Sequence, residues 1–161
     1  MYIKSLANRG DFELISGDDR IYRVMYDRKF TLVACTQFGE RFIEVRQRNA
    51  LSMKYDIIIN GDIMGEILFK FSGKSTIKLF REYGDWSFKR KGLFNQRFFI
   101  TNVETGESFS LKPKINWRRL SYGYSIDMPL DMQDERDCLE MIFFAVFTAN
   151  VYLRLMGSSA S

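Results

Sequence analysis

The chain has 161 residues, 46% hydrophobic and 16% aromatic, with 24 Lys and Arg against 20 Asp and Glu for a net charge of +4. That is one domain's worth of sequence with apolar mass for a real core, which excludes a disordered or low-complexity chain. There is no His, which removes the commonest general base and the commonest transition-metal ligand together.

From Tyr22 onward, turn signals recur about every 8 to 12 residues, the spacing of an all-β sandwich or barrel. They are Asp27-Arg28, Phe38-Gly39-Glu40, Asn60-Gly61, Ser72-Gly73, Tyr83-Gly84-Asp85, Lys91-Gly92 and Thr105-Gly106. Between them the apolar residues alternate. Tyr55, Ile57 and Ile59 precede Ile63, Ile67 and Phe69, and Asn60-Gly61 supplies the positive backbone dihedrals of a tight turn, so residues 54–71 read as a hairpin. Leu120, Tyr122, Tyr124, Ile126 and Met128 share one face of a later strand, with Arg119, Ser121, Gly123, Ser125 and Asp127 on the other. Roughly ten or eleven strands are expected from Phe12 to Met128.

The segment 134–156 changes period and reads as a helix whose middle, Met141 to Leu153, carries no charge on any face. A helix apolar all round must be enclosed by protein or lipid. Thirteen uncharged residues rise about 20 Å, whereas a bilayer core needs about 30 Å, so no transmembrane span is expected and the enclosure is the chain's own sheet. A wall about 10 Å from the helix axis has a circumference near 65 Å, which strands about 4.8 Å apart and tilted by about 40° fill with ten to twelve members. The expected fold is mainly β: a closed antiparallel β-barrel of about twelve strands around a central, buried, hydrophobic C-terminal α-helix. Leu139, Met141, Ile142, Phe143, Phe144, Val146, Phe147, Val151 and Leu153 are then inaccessible, with Thr148 and Asn150 bonding inside. One domain is expected over residues 1–156 and a disordered tail over 157–161.

This combination resembles the tubby C-terminal-like superfamily, which includes the tubby domain, the phospholipid scramblases and the LURP-one-related proteins. The stretches that carry the likeness are Tyr55-Asp-Ile-Ile-Ile-Asn-Gly-Asp-Ile-Met-Gly-Glu-Ile67, similar to the family's strand, turn, strand hairpin, then the strand-rich run from Phe98 to Leu111, and Asp137 to Leu155 as the central helix. The resemblance implies a twelve-stranded barrel around that helix. Its relatives include phosphoinositide binders, but a shared fold does not carry an activity.

Gly73-Lys74-Ser75 resembles the end of a phosphate-binding loop. That motif needs a glycine where Leu68 stands and a helix where Thr76 to Phe80 alternate as a strand, so a hairpin turn is expected instead. Asp127, Asp131, Asp134, Glu135 and Asp137 precede the helix; scramblase-like relatives imply calcium near this position. The alternating acid spacing of a calcium loop is missing, and acids at a helix start offset its dipole without any metal. No metal site, no cofactor and no catalytic residue are therefore assigned, and the chain is read as non-enzymatic.

Charge distribution is the feature that points to a partner. Residues 70 to 119 hold 12 Lys and Arg with 4 Asp and Glu, while the remainder holds 12 and 16, giving net charges of +8 and −4. The candidate anion- and lipid-binding residues are Lys89, Arg90, Lys91, Arg97, Lys112, Lys114, Arg118 and Arg119, with Trp86, Phe94 and Trp117 as shallow anchors in a headgroup layer. The expected partner is an anionic membrane surface, phosphoinositide-like in chemistry. The competing reading is a structural or protein-interaction domain whose basic face is merely solvated. No nucleic-acid-reading motif is evident, and the helix plugs the interior that a small-molecule ligand would need. With no basic-then-apolar leader and no paired cysteine spacing for Cys35 and Cys138, the expected address is the cytoplasm, peripheral to a membrane.

Overall fold

A computed structural model describes residues 1–6, 11–27, 33–49, 51–70, 72–80, 84–92, 96–116, 121–133 and 135–158. Twelve strands follow one another: β1 (Tyr2–Ser5), β2 (Phe12–Ser16), β3 (Asp19–Tyr26), β4 (Ala34–Phe38), β5 (Arg41–Gln47), β6 (Lys54–Ile59), β7 (Asp62–Lys70), β8 (Lys74–Leu79), β9 (Gly84–Lys91), β10 (Arg97–Asn102), β11 (Ser108–Asn116) and β12 (Ser121–Asp127). A short 3-10 turn (Leu130–Met132) leads into α1 (Arg136–Ser158). Each strand pairs antiparallel with its chain neighbours, and β1 pairs with β12, so the sheet closes. Residues 159–161 of the expected tail lie outside the described residues.

The β6–β7 hairpin forms where expected. Asn60 and Gly61 take φ of 52° and 93°, the positive pair that matches a two-residue turn to the twist of the strands it joins. The register slips between Ile57 and Ile58, so Ile57 faces Gly65 while Ile58 faces Ile63. At this bulge a Cβ on Gly65 would stand 2.3 Å from the Lys78 carbonyl oxygen, an approach only glycine permits.

Strand β1 was outside the sequence expectation, which began at Phe12. It presents one inward residue, Ile3, too few to reveal alternation, yet its pairing with Ser125 and Tyr124 closes the barrel and removes two open edges.

The core is the helix within its wall. Every helix residue expected to be inaccessible is buried, and the contacts reach strands all round the barrel. Phe143 packs on Phe12 of β2. Phe147 stacks on Tyr26 of β3 and meets Tyr55 of β6 edge-on. Tyr152 packs on Phe69 of β7 and Phe98 of β10. By length and composition α1 could cross a bilayer, but 89% of its apolar window is buried inside the barrel. Asn150 is satisfied across the interior: its amide nitrogen donates to the Tyr26 hydroxyl at 3.2 Å, and its amide oxygen accepts from the Tyr124 hydroxyl at 2.7 Å. Thr148 instead donates to the Phe144 carbonyl one turn back, at 2.8 Å.

Candidate functional site: a basic rim on the barrel wall

Because the strands alternate, the inward residues of β7 to β10 fix which side chains reach the outer wall. Phe69, Ile77, Phe88 and Phe98 are buried, so Lys70, Lys74, Lys89 and Arg97 point outward. Register then aligns them. Lys70 stands opposite Lys74, and Lys74 opposite Lys89, so three lysines on three adjacent strands share one rung. On the next rung Lys91 stands opposite Arg97. Lys112 and Lys114 occupy outward positions on β11, opposite Ser125 and Gly123. Arg118 and Arg119 lie outside the described residues.

Another rung shows what a compensated row looks like in the same wall. Arg46, Asp56, Glu66, Lys78 and Asp85 stand successively opposite one another on β5 to β9. Arg48 reaches over this row, with its guanidinium 2.6 Å from Asp56 and 3.1 Å from Glu66. In the lysine row, by contrast, no carboxylate among the described residues pairs with Lys70, Lys74 or Lys89. Like charges directly opposite one another destabilise a sheet. Arg97 has Asp127 at 3.8 Å, a carboxylate largely in solvent.

Two of the expected residues sit elsewhere. Arg90 shares the parity of Trp86 and Phe88 and turns inward, where its guanidinium donates to the Tyr152 hydroxyl at 3.0 Å and lies over the Tyr152 ring. It holds the end of the helix in the barrel mouth. Trp86, expected as a membrane anchor, is 3% exposed and packs against Phe109 inside the barrel. Phe94 and Trp117 lie outside the described residues. Among the described residues, an aromatic on the basic wall is Phe99, opposite Lys89, with the Lys91 ammonium 5.0 Å from its ring centre. Phe98-Phe99 gives no hint of which ring faces out until the register is known.

The charges also sort along the barrel axis. At the end where α1 enters, the turns and strand ends carry Asp18, Asp19, Glu40, Asp62, Glu104, Glu107, Asp127, Asp131 and Glu135, all exposed, with Arg20 and Arg136 among them. At the end where α1 terminates, the exposed charges among the described residues include Arg48, Lys54, Lys70, Lys74, Lys91, Lys114 and Arg154, with Asp27. The barrel has an acidic end and a basic end.

The acidic end holds an open groove of about 610 Å³ between the β4–β5 and β6–β7 turns and the start of α1, lined by Phe38, Glu40, Arg41, Asn60, Arg136 and Leu139. Beside it lies a charge that the sequence reading missed. Glu140 is 1% exposed, and one of its oxygens is approached by Arg41 at 3.1 Å and Arg136 at 3.3 Å. The i,i+4 spacing from Arg136 was legible in the sequence, whereas the contact with Arg41 spans 99 positions and depends on the fold. Nearby, the Tyr22 hydroxyl donates to the Leu139 carbonyl at 3.0 Å, and burial with the Glu140 charge raises its pKa well above the ordinary range. These groups engage each other and pin the helix start.

Asp127, Asp131 and Asp137 are spread over the end of β12, the 3-10 turn and the first helical turn, and Asp134 lies outside the described residues. Among the described residues no three His, Cys, Asp or Glu side chains converge as metal ligands. Cys138, buried and hydrogen-bonded to Glu135 at 3.5 Å, has its thiol pushed up to about 12 by burial and that neighbour, the reverse of an activated nucleophile. No known protein family, no curated protein and no solved structure matches the chain.

Proposed function

We propose that this protein is a non-enzymatic binding module that docks peripherally on anionic phospholipid headgroups, phosphoinositide-like in chemistry, through its basic rim. The observation that carries this reading is the uncompensated row Lys70, Lys74 and Lys89, in a wall where another charged row mixes both signs and its one like-charge pair, Asp56 and Glu66, is bridged by Arg48. Holding like charges together costs stability, and an anionic surface relieves that cost. Near an anionic leaflet each such side chain contributes about 1 kcal/mol. Phe99 supplies apolar contact between the lysines, and Lys91, Arg97, Lys112 and Lys114 widen the footprint. The acidic end, repelled by the same leaflet, orients the barrel with its basic end down. On this reading the protein works at the cytoplasmic face of a membrane.

We infer kinship with the tubby C-terminal-like superfamily on the same terms. What supports it is a sheet of twelve strands closed around a C-terminal helix. A phosphoinositide-type ligand is consistent with that kinship.

Co-sedimentation with phosphatidylcholine vesicles, with and without phosphatidylserine or a phosphoinositide, tests the proposal. Binding is expected only to the anionic vesicles, to weaken as salt rises, and to be lost in Lys74→Glu/Lys89→Glu. Binding that ignores lipid charge or ionic strength overturns it.

A further inference from the structure

We propose that the two ends of the barrel recognise each other, so that the acidic end of one copy seats on the basic end of a second copy of this chain. This goes beyond lipid docking and does not depend on it, although both use the basic end. The argument starts from the axial sorting of charge. Asp62, Glu104 and Asp131 stand exposed at the end where α1 enters, and Lys70, Lys91 and Lys114 at the end where it terminates. The helix macrodipole opposes this arrangement by only about half a charge at each end, too little to cancel several side chains.

Geometry and polarity agree with such a contact. A barrel end about 30 Å across, side chains included, presents about 700 Å² per partner, close to what a stable interface needs. Each end also exposes large apolar side chains among its charges: Phe80, Val103 and Leu130 at the acidic end, and Leu51, Ile115 and Leu155 at the basic end. Apolar anchors ringed by complementary charge are what an interface core and rim require. Acid-on-acid or base-on-base contacts place like charges together, so the favoured contact is head-to-tail. A head-to-tail contact between two copies leaves one free end of each sign, and association continues with concentration. Because the basic end is consumed, anionic vesicles and a second copy compete for it.

Sedimentation velocity without lipid tests this. The intact chain is expected to sediment faster as concentration rises at low salt and to return to monomer at high salt, with apparent affinity falling at least tenfold. Two neutralised variants report the polarity: Lys70→Gln/Lys91→Gln/Lys114→Gln and Asp62→Asn/Glu104→Gln/Asp131→Asn. Each alone is expected to stay monomeric, while their mixture forms a one-to-one pair that does not grow, since the single intact end of each variant is used in the pair and only neutralised ends stay free. A monomeric intact chain at low salt across the whole concentration range overturns the proposal. So does an associating chain whose variants fail to recombine while thermal melts show both folded, because that result marks a two-fold contact instead. Lipid is absent from every arm, so this outcome is independent of vesicle binding.

Discussion

Lys74 stands directly across the β8–β9 register from Lys89, on the outer wall, and Lys70 completes the row from the other side. This arrangement sets stability against binding. Lys74→Glu converts two like-charge cross-strand pairs into opposite-charge pairs and is expected to stabilise the fold by about 0.5 kcal/mol, read as a Tm rise of roughly 1 to 2 °C at low salt. The same change is expected to weaken sedimentation with anionic vesicles. If stability and vesicle binding fall together, the row is not a site of stored repulsion.

Phe144 is fully buried, with its ring 5.3 Å from that of Phe143. Phe144→Asp places a carboxylate where neither water nor a partner can reach it, at a cost exceeding the stability of an ordinary domain. The variant is expected to be insoluble or to show no cooperative melt by circular dichroism. A soluble, cooperatively melting protein would sink the enclosed-helix fold.

The helix was legible because thirteen successive residues, Met141 to Leu153, carry no charge, and the β6–β7 hairpin because Asn60-Gly61 marks one turn type. Closure followed from perimeter and strand spacing without β1 being seen. The basic rim was legible only as composition. Composition groups Lys89, Arg90 and Lys91, whereas the parity set by Trp86 and Phe88 divides them between wall and interior. The row through Lys70 and Lys74 needs the cross-strand register, because strand order joins turn residues to a strand more than a dozen positions away. The partners of Glu140 and Asn150 are hidden for the same reason: a local pattern shows that a polar side chain enters the core, not what meets it there.

Asn150 ties the helix to two strands at once through Tyr124 and Tyr26. Asn150→Leu keeps the volume and removes both bonds, leaving the two hydroxyls without this partner inside the barrel. The expected loss is about 2 to 3 kcal/mol, a Tm fall of roughly 6 °C by calorimetry. An unchanged Tm would show that the hydroxyls find other partners at no cost.

Alkaline pH should unfold the barrel by a defined route. Burial pushes the Tyr26 phenol up to about 12, against the opposing influence of Asn150 and Arg154, and burial also raises Tyr124. Such a phenol binds its proton more tightly in the folded chain than in the unfolded one, whose value is about 10. Its contribution is therefore complete below pH 10 and is lost as pH rises from 10 through 12. Urea denaturation at successive pH values is expected to show stability falling over that window, with a shallower fall in Tyr26→Phe. Equal slopes in the two proteins would remove Tyr26 as a cause.

Glu140 and Arg41 make the most demanding electrostatic contact, because a carboxylate 1% exposed is neutralised by a guanidinium from a strand remote in sequence. Removing one member leaves the other charge buried without its main counterion, which costs far more than the intact pair contributes over a neutral substitute. Arg41→Met is expected to destabilise by about 3 kcal/mol, since Arg136, half in solvent, screens Glu140 only in part. Glu140→Gln removes the stranded charge, so Arg41→Met in that background should cost about 2 kcal/mol less, a coupling that urea midpoints at constant slope resolve. Costs that add within about 0.5 kcal/mol would mean that the two side chains are neighbours and not a pair. In that case the helix start is held in the barrel mouth by packing and by the Tyr22 hydroxyl on the Leu139 carbonyl, and the buried charge is incidental to it.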